Sequence, residues 1–216
     1  MSAGAAINSL DVLRRFVRKN RPSERCELCG ADLAHDHPHL MDPRARKLFC
    51  ACGACAILFS GHSSARYKRV PQCIRYLDGF RLGDQQWASL LIPINVAFFF
   101  ESSIERRVVA LYPSPAGAPE SQLPVDTWTE IVAENPVLSE MQPDVEALLV
   151  NRLGPARGYS APEYYLLPID ECYRLVGVIR AQWKGLSGGA EVWESLARFF
   201  ADLKERAAAT GGAHHA

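Results

Sequence analysis

The sequence predicts an α+β protein: an N-terminal four-cysteine zinc finger of treble-clef or ribbon type, then a mainly antiparallel sheet with C-terminal helices. Three observations carry this. Cys26-x-x-Cys29 and Cys52-x-x-Cys55 are two C-x-x-C pairs with twenty-two residues between them. Four runs from Arg66 to Tyr112 are rich in aromatic and β-branched residues and are separated by Pro or Gly. Beyond residue 124, apolar residues recur with a helical period.

Taken in order, residues 9–19 place Leu10, Leu13, Phe16 and Val17 on one face with Asn8 or Ser9 as N-cap, which predicts a short helix within residues 1–23. The finger occupies residues 24–65, a stretch with little apolar content that needs an ion to order it. Residues 66–206 form the α+β domain. Its expected strands are Arg66 to Val70, Ile74 to Phe80, Val96 to Glu101 and Arg107 to Tyr112, with a helix from Asp84 to Leu91 between them. Residues 113–124 (PSPAGAPESQLP) predict a loop. Helices are expected from Asp126 to Glu134, from Pro143 with Val145, Leu148 and Leu149 on one face, from Asp170 to Lys184, and across Val192 to Leu203. Residues 207–216 carry no cap or pattern and predict a mobile tail.

Composition excludes several classes. Hydrophobic residues make up 48% and charged residues 22% of 216, which is ordinary globular usage. The longest apolar run, Leu90 to Phe100, is broken by Pro93 and Asn95 and is shorter than the ~20 residues of a membrane-spanning helix. No apolar signal segment follows the basic N-terminus, so a cytoplasmic protein is expected. The zero net charge hides an asymmetry: residues 1–75 hold 13 Lys/Arg against 6 Asp/Glu, and the remainder holds 11 against 18. Two surfaces with different tasks, or two parts attracted to each other, produce such a split.

Five of seven cysteines fall within thirty residues, and an odd count in one dense cluster on an unsecreted chain favours metal over disulfides. Cys26, Cys29, Cys52 and Cys55 supply one tetrahedron. All four donors are soft sulfurs and no catalytic carboxylate is adjacent, so a closed structural Zn2+ site is preferred to an open catalytic one. Iron held as in rubredoxin is the alternative. Ala56 to Phe59 follow the second pair as the first turn of a helix, whose N-terminus favours thiolate. Cys50 is surplus: alternation along Arg46 to Cys50 makes it a packing thiol before a ligand. In the loop, His35, His37 and His39 alternate before and after Pro38 and offer, with Cys50, an additional site for Ni, Cu or Zn; an exposed polar loop is the preferred reading. His62 is a candidate outer partner of the metal. Cys73 and Cys172 are read as packing residues, and Ser187-Gly188-Gly189 as a hinge between helices.

Arg44, Arg46, Lys47, Arg66, Lys68 and Arg69 form a basic rim around the finger. A nucleic-acid-binding regulator is one reading of it, but a four-thiolate Zn2+ centre carries −2 and the rest of the chain is acidic, so a protein partner is preferred. No catalytic motif is present, which makes a non-catalytic role the expectation and leaves an enzyme open.

The residues Cys26-x-x-Cys29, Leu48 to Cys55, Arg69-Val70-Pro71, Leu77 to Phe80, Asn135 to Leu138, Pro143 to Leu149, Asp170 to Gly177 and Trp183 to Gly189 resemble an uncharacterised bacterial family often encoded near nickel-iron hydrogenase genes. The resemblance spans about residues 10–205. It implies an accessory or assembly role, with a hydrogenase or its maturation factors as partner, and it assigns no catalytic residue.

Overall fold

In the computed structural model, residues 24–60, 65–185 and 187–211 are described. The expected N-terminal helix, His62 and residues 212–216 lie outside them.

The finger forms because a short hairpin is held at its turn by one buried carboxylate. Strand β1 (His39–Asp42) pairs antiparallel with β2 (Lys47–Cys50) on one side and β3 (Lys68–Arg69) on the other. Asp42, 1% exposed, accepts the backbone N–H groups of Arg44 at 3.0 Å and Ala45 at 3.3 Å and the Arg66 guanidinium at 2.9 Å. Helix α1 (Gly53–Ser60) follows β2 directly. Alternation along β1 then divides its side chains. Leu40 enters a small core with Cys26, Ala51, Cys55 and Ala56, whereas Met41 points the other way into the core of the large sheet.

That sheet has six strands: β4 (Arg75–Tyr76), β5 (Val96–Ser102), β6 (Arg107–Leu111), β7 (Glu120–Ser121), β8 (Glu146–Asn151) and β9 (Glu163–Pro168). Their order is β4-β9-β8-β5-β6-β7 and every pairing is antiparallel. The α+β class with an N-terminal cysteine cluster and C-terminal helices is thus the observed one. Helices α4 (Ile169–Gln182) and α5 (Ala190–Gly211) cover the face presenting Phe98, Phe100, Leu149, Tyr165 and Leu167. Helices α2 (Asp84–Ser89) and α3 (Val125–Glu134) cover the opposite face, where Phe99, Leu148, Val150 and Tyr164 meet Trp87, Leu90 and Ile131.

One expected element is corrected. The segment from Pro143 is the central strand β8, not a helix, and β9 beside it was not foreseen. Both faces of β8 are covered, so all six of its residues are buried. A strand of this kind has no polar alternation, and a run as short as Ala147 to Val150 does not distinguish strand from helix. The expected strands Arg66 to Val70 and Ile74 to Phe80 shrink to the two-residue β3 and β4, and the loop over 113–124 contains β7. Cys172, on the buried stripe of α4, is fully packed. Gly188, at the hinge before α5, has φ +86, and a Cβ there would lie 2.9 Å from Val192 Cγ1 and 3.1 Å from Trp183 Cε3, so only glycine fits. Helix α5 continues to Gly211, with Ala207 packed into the core.

Candidate metal centre

The first C-x-x-C pair sits in a tight turn. Gly30 N–H donates to the Cys26 carbonyl at 2.8 Å, and Gly30 adopts φ +78, which the turn requires. Glu27 clamps this turn onto β2: its N–H donates to the Cys50 carbonyl at 2.9 Å, and its carboxylate accepts the Cys50 N–H at 2.8 Å. The second pair lies at the start of α1, where the Cys55 N–H points at Cys52 Sγ from 3.5 Å. The four sulfurs of Cys26, Cys29, Cys52 and Cys55 all lie within 4.8 Å of one another, positioned to bind a metal ion. Cys29 and Cys52 Sγ are 3.7 Å apart. A tetrahedron with Zn–S bonds of about 2.3 Å has an edge of roughly 3.8 Å, so the donor set fits one ion of that size.

Electrostatics also call for a cation. Burial raises the Cys26 thiol, but amide hydrogen bonds from Cys52, Cys29 and Leu28 outweigh it and bring the thiol down to about 6. Burial, followed by hydrogen bonds with the three neighbouring cysteines, pushes Cys55 up to about 12. Four sulfurs this close do not all ionise by themselves, and a bound dication compensates their repulsion. Cys26 and Cys55 are buried, Cys52 is half-buried, and Cys29 is exposed at the surface edge of the cluster.

Cys50 is not a core thiol. It is half-buried, opposite His39 in the β1–β2 register, and forms a second group with His37 and His39 in which one donor atom of each lies within 4.8 Å of the others. Burial and the carboxylates of Glu27 and Glu24 raise its thiol. His35 stays out of the group and is exposed. His37 Nδ1 meets the Ala34 carbonyl at 2.9 Å, and this turn takes His35 off the shared side that an extended chain would give it. His39 Nδ1 meets Asp170 Oδ2 at 2.7 Å; that hydrogen bond outweighs partial burial and raises the imidazole. Asp170, read from the sequence only as a helix start, is the site residue that sequence reasoning missed, because 131 positions separate it from His39.

The basic rim is largely neutralised by this chain's own acids. Arg46 reaches both Glu105 and Glu120, Lys47 reaches Glu27, Arg66 reaches Asp42 and Lys68 reaches Asp144. Burial raises Glu120, yet Arg107 and Arg46 hold its carboxyl below the ordinary range. Arg44 and Arg69 are exposed. Arg46 and Lys68 thereby dock finger to sheet, whereas the Lys47–Glu27 and Arg66–Asp42 pairs stay within the finger. Arg46→Glu should lower stability by about 1–2 kcal/mol, since it turns a bridging cation into a third carboxylate, while Arg44→Glu should stay within ~0.5 kcal/mol. Thermal melts of the two single variants check this, and equal melting shifts would contradict the docking role.

A family model described as "Family of unknown function (DUF5947)" matches residues 25–207, from the first knuckle of the finger through most of α5. No curated protein and no solved structure matches the chain. No helix among the described residues is long and apolar enough to cross a membrane.

Proposed function

We propose that this chain, which belongs to the DUF5947 family, is a non-catalytic cytoplasmic accessory protein in which a structural Zn2+ holds the finger and the finger contacts a protein partner. The observation that carries the reading is the apolar row on α1. Ile57 is 68% exposed, Leu58 68% and Phe59 45%, on a helix whose first turn supplies Cys52's neighbour Gly53 and the buried ligand Cys55. Phe59 still meets the Tyr67 ring edge to face at 6.4 Å, but Ile57 and Leu58 are two adjacent large apolar side chains left mostly in solvent, which costs solvation and suits a docking surface. The ion fixes the helix and thereby the row. Gene neighbourhood in the family that the sequence resembles makes a nickel-iron hydrogenase or one of its maturation factors the first partner to test.

Ile57→Glu with Leu58→Glu should abolish co-purification of the partner from the native host while the melting temperature and the metal content stay unchanged. Undiminished recovery of the partner would refute this surface. A second reading rests on the exposure of Cys29, since a four-thiolate ion at a surface edge suits electron transfer by iron. Visible absorption decides between them: a ferric four-thiolate centre is coloured and d10 Zn2+ is not.

A further inference from the structure

We propose a second metal site, separate from the four-thiolate centre, built from His37, His39 and Cys50 and opening into a cleft. One ring nitrogen of each histidine and the Cys50 sulfur lie within 4.8 Å of one another, and the two rings meet edge to face at 4.9 Å between centroids. Nearness alone is weak, because His and Cys cluster for other reasons. Two further facts point to an ion.

The first is an orphaned donor. The His37 side chain is 7% exposed, its Nδ1 is taken by the Ala34 carbonyl at 2.9 Å, and its Nε2 is buried with no hydrogen-bond partner. A buried imidazole nitrogen without a partner carries a desolvation penalty that a metal bond would remove. With Nδ1 carrying the proton towards Ala34, Nε2 holds the lone pair a metal needs.

The second is the carboxylate behind His39. Asp170 Oδ2 sits 2.7 Å from His39 Nδ1, which fixes the tautomer with Nε2 as the free donor and raises its basicity. Such carboxylate–imidazole pairs accompany metal ligation. Here the carboxylate comes from α4, so the two halves of the chain meet at this point.

The donor set of two imidazoles and one thiolate suits a borderline first-row dication, Zn2+ or Co2+, with Ni2+ as a relative. Ligand atoms around such an ion lie roughly 3.3–3.6 Å apart, so donors that all lie within 4.8 Å of one another need to close by no more than about 1.5 Å on binding. Binding releases the Cys50 thiol proton and forms the metal–sulfur bond. Three protein ligands leave a fourth position, and His35, Arg69, Pro168, Asp170 and Arg206 line a cleft of about 310 Å³ beside it. The four-thiolate centre is closed and this one is open, so it would exchange its ion and a small fourth ligand, such as water or an anion, far more readily.

The full chain, loaded with Zn2+ or Co2+ and freed of loose metal, tests this by equilibrium dialysis. The expected result is two equivalents, of which a mild chelator removes one. Cys50→Ser and the double variant His37→Ala with His39→Ala should each hold one equivalent and keep the four-thiolate Co2+ spectrum. A fold-independent arm uses the unaltered chain: a second equivalent of Zn2+ should slow alkylation of Cys50 at least tenfold, read by peptide mapping, with no change at Cys73. One equivalent in the unaltered chain, a second equivalent surviving in both variants, or unprotected Cys50 would each overturn the proposal. Loss of the four-thiolate spectrum in the unaltered chain would instead count against the finger's own metal.

Discussion

Cys52→Ser should release the ion held by the four sulfurs and unfold residues 24–60 while the six-stranded sheet stays folded. Removing one ligand of four leaves three crowded sulfurs without a complete coordination shell, and ion binding contributes on the order of 10–16 kcal/mol to small zinc-dependent folds. The finger has little else to hold it. Its private core is small: Leu40, Ala51 and Ala56 with the ligand cysteines Cys26 and Cys55, and only partly buried Leu28, Leu33, Phe49 and Tyr67 around them. The sheet, by contrast, is packed on both faces mainly by residues outside the finger, Met41 and Leu48 excepted.

The loss should still reach the sheet in part. Met41, 2% exposed, sits in the main core, and Arg46 and His39 bond to Glu120 and Asp170 across the seam. Losing a buried methionine and these contacts should lower the sheet's stability by about 2–4 kcal/mol. All four tryptophans, Trp87, Trp128, Trp183 and Trp193, lie in the larger part, so their fluorescence reports its melting alone. The expected outcome is a cooperative but lowered tryptophan melt, loss of one metal equivalent by elemental analysis, and rapid proteolysis within 24–60. Cys50→Ser should keep the four-thiolate ion. Retained metal in Cys52→Ser, or loss of all cooperativity, would contradict the assignment of ligands or the independence of the sheet.

What was legible in the sequence follows from how local each signal is. The two C-x-x-C pairs define a turn and a helix start by spacing alone, and the structure brings their four sulfurs together. Helices α4 and α5 carry their apolar stripe in sequence, and Val96 to Ser102 and Arg107 to Leu111 show β-branched and aromatic residues between turns. The centre of the sheet was illegible for the opposite reason. Strands β8 and β9 are buried on both sides, so Leu148 and Leu149, or Tyr164 and Tyr165, stand adjacent without alternation. The Tyr-Tyr pair was a strand signal that could have been weighed. The partners of the basic rim were illegible because Glu105, Glu120 and Asp144 reach Arg46 and Lys68 only through the tertiary fold. Six cations near one another in sequence read as an open surface; folded, four of them are spoken for.

The largest single effect outside the metal centre is expected at Asp144, where the finger is fastened to the sheet. Asp144 is 2% exposed and has φ +72, a left-handed conformation that Asp and Asn tolerate far better than Ala. Its carboxylate accepts the Ser103 N–H at 2.9 Å and hydroxyl at 2.5 Å, from the β5–β6 turn, and pairs with Lys68 Nζ at 2.6 Å on β3. Lys68 also donates to the Pro143 carbonyl at 3.2 Å. One buried anion therefore joins a hairpin turn, the entry to β8 and the outer strand of the finger. Asp144→Ala removes the anion, leaves the Ser103 amide short of a partner, takes the counter-ion from the Lys68 ammonium and strains the backbone, for a loss of about 3–5 kcal/mol. Asp144→Asn keeps the backbone preference and part of the hydrogen bonding but not the charge, and should cost about 1–3 kcal/mol. A cycle with Lys68→Met separates the ion pair from the turn. In the double variant the unpaired ammonium is gone, so the combined loss should fall short of the sum of the single losses by at least ~1 kcal/mol. Urea midpoints at unchanged slope measure each corner of the cycle. Simple additivity would mean that Asp144 serves the turn alone and that the finger is fastened to the sheet elsewhere, through Arg46 and Met41.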